Sequence, residues 1–166
     1  MDTVDCIKAE AIWNFKCYDK DGNLKWEDEG KNLVVTEGLN YLLNSAFNGA
    51  TQDSTWFIGL KGTGTPAAGD TLASHATWTE NTNYTGDRQA FTLNGASTAG
   101  SITNSSSPAQ FPITVDSQTI SGGFLTGVAT GTSGTLFNVK DFTGGDKQAD
   151  NGDTLSVTLT ITASSS

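Results

Sequence analysis

The 166-residue chain has one histidine, His75, one arginine, Arg88, and two cysteines, Cys6 and Cys17. Each scarcity removes a class of function. A Ser-His-acid or Cys-His arrangement has a single base to draw on, and that base stands in Ser74-His75-Ala76, within an expected loop. Neither cysteine lies in a recognisable nucleophile context, so we expect no catalytic residue and no enzyme activity. Zinc sites need several His and Cys ligands in a cluster, and residues at positions 6, 17 and 75 do not form one, so we expect no metal and no cofactor. Eleven residues apart on one expected strand, the cysteines would be roughly 35 Å from each other, beyond disulfide reach.

Positive charge is also scarce. A net charge of −9 gives an average field that repels phosphate backbones and anionic headgroups, so neither nucleic acid nor membrane is expected as a partner. No run of 18 apolar residues is present, and no basic segment precedes an apolar one at the start, so we expect neither a membrane span nor a secretory signal. A soluble product made in the cytosol follows as the expectation. The chain has no repeat of fixed period, which argues against a propeller, a solenoid or a repetitive fibre shaft.

What is present points to β structure. Charged residues make up only 16% of the chain and hydrophobic ones 36%, with Ser, Thr, Gly and Asn filling much of the rest. That is the surface of proteins whose outer strand faces carry Thr and Ser. Residues 1–40 hold 14 of the 27 charged side chains, so the first quarter is a different kind of surface from the remainder.

Between residues 6 and 18, Ile7, Ala9, Ala11, Trp13, Phe15 and Cys17 alternate with Lys8, Glu10, Asn14 and Lys16, the pattern of a long half-buried strand. The turn formers Asp19-Lys20-Asp21-Gly22-Asn23 follow, and Leu24 to Glu27 can return antiparallel as a hairpin. From Thr36 the period becomes helical. Leu39, Leu42, Leu43, Ala46 and Phe47 form one stripe, with Thr36 as expected N-cap, Glu37 in the first turn and Asn48-Gly49 as the stop. A helix of about residues 37–47 is too short to stand alone, so the Leu stripe is expected to lie on a sheet.

Further strands are expected at residues 55–60, 88–93, 110–115, 120–126, 135–139 and 153–163, the last alternating cleanly after Asn151-Gly152-Asp153. Residues 61–87 read as a long loop packed through Trp78 and Tyr84. The expected fold is mainly β, an antiparallel β-sandwich or jelly-roll-like barrel with one short helix. One β-rich domain spans residues 1–166, with hairpin and helix over 1–50 and Ser/Thr/Gly-rich strands over 51–163.

Three motifs invite chemistry and give little. The acidic run from Asp19 resembles a cation loop, but a helix-loop-helix calcium site wants Gly sixth and Glu twelfth, whereas Gly22 is fourth and Gly30 is twelfth, so a hairpin turn is favoured. Lys61-Gly62-Thr63-Gly64-Thr65 lacks the closing Gly-Lys-Ser/Thr of a phosphate cradle and no helix follows, so a flexible loop is expected. Glycoside hydrolysis needs two converging carboxylates, and nothing in the sequence selects a pair among the 18 acidic residues. The aromatic residues Trp26, Trp56, Trp78 and Tyr84 remain, as core, as interface anchors or as sugar platforms; Trp26, Trp78 and Tyr84 are the candidate interface residues.

Several stretches resemble small virion proteins of tailed bacteriophages. The carrying residues are Tyr18-Asp19-Lys20-Asp21-Gly22-Asn23-Leu24-Lys25-Trp26, Asn32 to Leu43, Trp56-Phe57-Ile58-Gly59-Leu60, Asp70 to His75 before Trp78, and Gly152-Asp153-Thr154-Leu155 leading into Val157 to Thr160. The resemblance spans most of the chain and implies a structural role on the virion. A capsid decoration or cement protein bound to the major capsid protein or other virion subunits comes first, and a tail or tail-fibre component recognising a host glycan comes second. It implies a homo-oligomer on a particle assembled in the host cytoplasm, and it carries over no catalytic residue. For such a subunit, the strand from Cys6 to Tyr18 and that from Asp153 to Ala163 would either pair internally or offer an edge to a neighbour. The acidic, Lys-bearing N-terminal region would dock by complementary charge, giving salt-sensitive attachment.

Overall fold

A computed structural model describes residues 7–165. In chain order the elements are β1 (Ile7–Tyr18), β2 (Leu24–Lys31), β3 (Leu33–Val34), α1 (Thr36–Phe47), β4 (Phe57–Gly64), β5 (Trp78–Asn81), β6 (Gln89–Ala90), β7 (Ser101–Thr103), β8 (Ala109–Pro112), β9 (Gln118–Ile120), β10 (Gly122–Thr126), β11 (Leu136–Asp141), β12 (Lys147–Ala149) and β13 (Thr154–Ser165). The fold is mainly β and antiparallel, with one helix.

One sheet runs β2-β1-β13, and β8 and β7 pair with successive halves of the far side of β13. The second runs β3-β11-β10-β4, with β5 and β6 sharing the far side of β4. Strands β9 and β12 form a small separate pair. The sheets stay open, so the architecture is sandwich-like and the barrel alternative is set aside.

The alternation in β1 does what period two requires. Trp13, Phe15 and Cys17 stand opposite Leu159, Val157 and Leu155 on β13, and all six are fully buried. They meet Ile58, Leu60, Leu125 and Phe137 of the second sheet in the main core. Each large apolar side chain buried there contributes roughly 1.5–3 kcal/mol. The outward residues of β13 are Thr and Ser, as the pattern requires.

The segment expected as a long loop over 61–87 is partly strand. β4 continues to Gly64 and β5 begins at Trp78, so Lys61-Gly62-Thr63-Gly64 is paired backbone, not a flexible loop. Gly64 has φ +103 and lies against the Thr77 carbonyl, where a Cβ would sit 2.1 Å from oxygen. Residues 65–77 then fold over the outer face of the second sheet. There Val35, Leu72, Trp78, Phe124, Leu136 and Val139 form a second apolar cluster.

The two long strands are interior. β1 is paired on both sides, by β2 and β13, and β13 by β1 and by β7 with β8. Internal pairing, the first of the two expected outcomes, therefore holds over most of both strands, and only Ile7 to Glu10, which β2 does not reach, keeps one side of β1 unpaired by a strand; Cys6, expected at the start of the first strand, lies outside the described residues. The Asp19–Asn23 turn is a hairpin turn held by its own carboxylate. Asp19 Oδ1 accepts the N–H groups of Asp21 and Asn23 at 2.9 and 2.8 Å, and the bonds from Asn23 first, then that from Asp21, hold the Asp19 carboxyl below its usual range.

Candidate functional site

The helix departs most from the sequence pattern. α1 starts at Thr36, and Val35, not Thr36, is the N-cap residue, with no side-chain capping bond. What fixes the first turn is tertiary. Glu37 Oε2 accepts the N–H of Leu72 at 3.1 Å and of Leu136 at 2.6 Å, and Gly38 lies directly on the backbone of Phe137. One turn on, Tyr41 packs edge-on against Trp56 at 5.0 Å, and its hydroxyl accepts the Asp53 N–H at 2.6 Å. Trp56 in turn meets Phe137 at 5.6 Å. The helix ends where Asn48 N–H bonds Asn44 O and Gly49 turns back at φ +66.

The face laid on the sheet is therefore Gly38, Tyr41 and Ser45. The stripe expected to be buried points outward. Leu39, Leu42, Leu43 and Ala46 are exposed, Leu43 by 56%, and Phe47 is exposed by 79%. The sequence did carry a signal for this arrangement, since Gly38, Tyr41 and Ser45 are spaced i, i+3, i+7, but it was masked by the stronger leucine stripe beside it.

Next to this stripe a cleft of about 490 Å³ opens between the two sheets. It is lined by Tyr41 and Leu42 of α1, by Phe91 and Leu93 after β6, and by Leu125 of β10 and Ile161 of β13. The surroundings are uncharged: from Gly38 to Leu60, from Gln89 to Val115 and from Thr154 to Ser166, the one charged residue is Asp53. No protein-family model matches the chain, and no curated protein matches it.

The candidate interface aromatics lie elsewhere. Trp78 is 3% exposed, stacks on His75 at 3.9 Å and donates its indole N–H to Asp70 at 2.9 Å. Tyr84 is 6% exposed and packs edge-on against Phe111. Both rings are interior, so neither is free to lie on a glycan or a partner. Trp26 is half-buried, with its indole N–H bonded to Gln148 O at 2.7 Å and its ring against Phe142. The structure does not bring these three residues to one place.

Titratable groups are engaged in holding the fold. Lys61 is fully buried, and its ammonium donates to Gly62 O, Gly64 O and, at 2.6 Å, to Asp141. Lys61 and Asp141 flank Gly122 in register, so the ion pair spans β10 across a position without a side chain. Arg88 binds Glu80 through two N–H···O bonds of 2.8 and 2.7 Å. Cys17 is buried and free, and burial first, then the nearby Asp153 carboxylate, pushes its thiol up to about 12. His75 Nδ1 lies 3.2 Å from Trp78 O. Among the described residues no group of three or more His, Cys, Asp and Glu is placed to hold a metal, and no helix is long and apolar enough to cross a membrane.

The outer face of the β2-β1-β13 sheet is the other extended surface. Lys16 stands between Glu27 and Ser156, Asn14 between Glu29 and Thr158, and Ile12 between Lys31 and Thr160. At its end Glu10 takes Lys8 at 2.7 Å and Lys31 at 2.9 Å. It is a mixed-charge plane bordered by a row of hydroxyls, unlike the uncharged end at α1.

Proposed function

We propose that the chain is a structural subunit of a tailed-phage particle, a capsid decoration protein that lies on the major capsid protein lattice and works by contact, without catalysis. The observation that carries this reading is the outward apolar stripe of an anchored helix. Soluble proteins that remain alone seldom present contiguous apolar side chains of this size to water. Here Glu37, Gly38 and Tyr41 fix the helix with the stripe outward, so the surface is built to be covered.

Three further observations support it. The stretches that resemble tailed-phage virion proteins fall on the β1–β2 turn, on β3 and α1, on β4, on the 70–78 segment and on β13, so they include both the helix with the outward stripe and a strand of the mixed-charge sheet. The buried Lys61, Lys140 and Arg88 are each paired with a carboxylate of the fold. The aromatic pair that would serve a glycan-binding tail component, Trp78 and Tyr84, is interior, which favours the shell over the tail. In this reading α1 faces neighbouring subunits and the mixed-charge plane of β1 and β2 faces the lattice, a modest contact multiplied by symmetry into avidity.

The test is to mix the purified protein with undecorated capsids and image them by electron cryo-microscopy. Saturable, regularly spaced density, released by raising salt and weakened by a Glu27→Lys/Glu29→Lys variant, is the expected result. Failure to bind capsids at low salt, or attachment confined to the tail, overturns the proposal.

A further inference from the structure

We infer that the α1 face is covered by a second copy of this chain, the two helices packing antiparallel across a two-fold axis at Leu43. The inference rests on the assembly reading only in taking this face for an interface between subunits; it narrows the neighbour to one identical copy and sets the geometry of the contact.

Charge selects the occupant. Each copy carries a net charge of −9, so two copies repel on most approaches. The end formed by α1 and the cleft is the exception, because Gly38 to Phe47, Ser54 to Trp56, Ala90 to Leu93, Ile102 and Ile161 include no charged side chain, and Asp53, whose N–H is bonded to the Tyr41 hydroxyl, is the one carboxylate of the adjoining loop. A basic partner would be drawn to the acidic surfaces elsewhere, and an acidic partner gains no attraction here. An identical copy meets an uncharged apolar stripe with the same stripe.

The spacing along the helix is self-complementary. Leu39 and Phe47 lie four residues either side of Leu43, about 6 Å of helix in each direction. A two-fold axis at Leu43 therefore sets Phe47 of each copy against Leu39 of the other, the larger side chain on the smaller. Asn40 and Asn44, both exposed, flank the seam where charged residues would otherwise set repulsion between like helices. The result is an isologous interface, which closes as a dimer instead of propagating.

Sedimentation velocity of the full chain over roughly 1 to 500 µM tests the pairing, since micromolar affinity populates dimer in that range. The expected result is a dimer that tightens in about 1 M salt, because screening removes the repulsion between acidic copies and leaves apolar burial in place. Leu43→Asp and Phe47→Asp each weaken it by about thirtyfold or more while the thermal melt of the monomer is unchanged, both residues being exposed. In a Cys6→Ser background, oxidation cross-links Leu43→Cys copies to each other but not Phe47→Cys copies, which the two-fold holds about 12 Å apart along the axis.

A wild-type chain that stays monomeric throughout, or a dimer indifferent to both aspartate variants, overturns the inference. Cross-linking of Phe47→Cys in place of Leu43→Cys overturns the antiparallel arrangement. The shell reading fails separately. A dimer that ignores capsids removes the decoration role and keeps the pairing, whereas a monomer that decorates capsids does the reverse.

Discussion

Gly38 rests on the main chain of Phe137 so closely that a Cβ at position 38 would lie 2.1 Å from the Phe137 carbonyl oxygen. In an ordinary helix, replacing Gly by Ala gains up to about 1 kcal/mol from propensity. Here backbone meets backbone, and neither side can yield without moving α1 off β11. Gly38→Ala should therefore destabilise the protein by about 1–3 kcal/mol in chemical denaturation. Leu43→Ala, on the exposed stripe, should stay within about 0.5 kcal/mol. The opposite order would mean that the leucines, not Gly38, seat the helix.

The contrast between these two positions marks where the sequence is legible. Strands β1 and β13 declare themselves because a two-residue period has one solution once a face is buried. The inward set Trp13, Phe15 and Cys17 on β1 simply faces the inward set Leu159, Val157 and Leu155 on β13. The helix was legible as a helix, but its orientation was not. An apolar stripe says which side prefers to leave water, without saying whether the cover comes from the same chain. Gly38 shares a helical spacing with Tyr41 and Ser45, but a glycine used for close approach to a distant strand adds no apolar weight to that face, and the leucines outweigh it. That the 61–87 segment packs through Trp78 and Tyr84 was legible from their size; the partner that holds Trp78 was not, because Asp70 belongs to a segment without regular alternation.

Asp28 and Lys140 form a buried pair across the two sheets. Their side chains are 5% and 2% exposed, with Nζ to Oδ1 at 3.5 Å, and Asp28 also accepts the N–H groups of Thr143 and Gly144 at 3.3 and 3.1 Å. Removing one partner strands the other charge. Asp28→Ala should cost about 3–5 kcal/mol in urea denaturation, and Asp28→Leu combined with Lys140→Met should recover most of it, because an apolar pair leaves no uncompensated ion. A double variant as unstable as the single one would show that the backbone bonds to Asp28 carry the effect.

Cys17 should be silent to thiol reagents in the native protein. With its thiol held near 12, chiefly by burial, the reactive thiolate is scarce at pH 8, and the side chain is fully buried besides. In a Cys6→Ser variant, labelling by a disulfide reagent should proceed at the rate of unfolding and accelerate with urea. The linkage follows the same direction. Between about 9, the ordinary thiol value, and about 12, the unfolded chain releases the proton while the folded one retains it, so stability falls as pH rises through that window. Rapid labelling at pH 8 without denaturant would contradict the burial.

Glu10 predicts the acid side. Hydrogen bonds from Lys8 first and then Lys31 lower its carboxyl to about 2, against an ordinary 4.5. A depressed carboxylate stays ionised in the folded state where the unfolded chain takes up a proton, so its contribution is complete above about 4.5 and is lost as pH falls towards 2. Glu10 lies at the surface, open to solvent screening, so the contribution is small and salt-sensitive. Comparing urea midpoints at low salt between pH 5 and pH 2.5, the wild type should lose more stability than Glu10→Gln, and the difference should vanish in about 1 M salt, where the screening length is only about 3 Å. Because Lys31 lies on β2 and Lys8 and Glu10 on β1, a difference that survives such salt would place the coupling in the packing of the β1–β2 ladder and not in its charges.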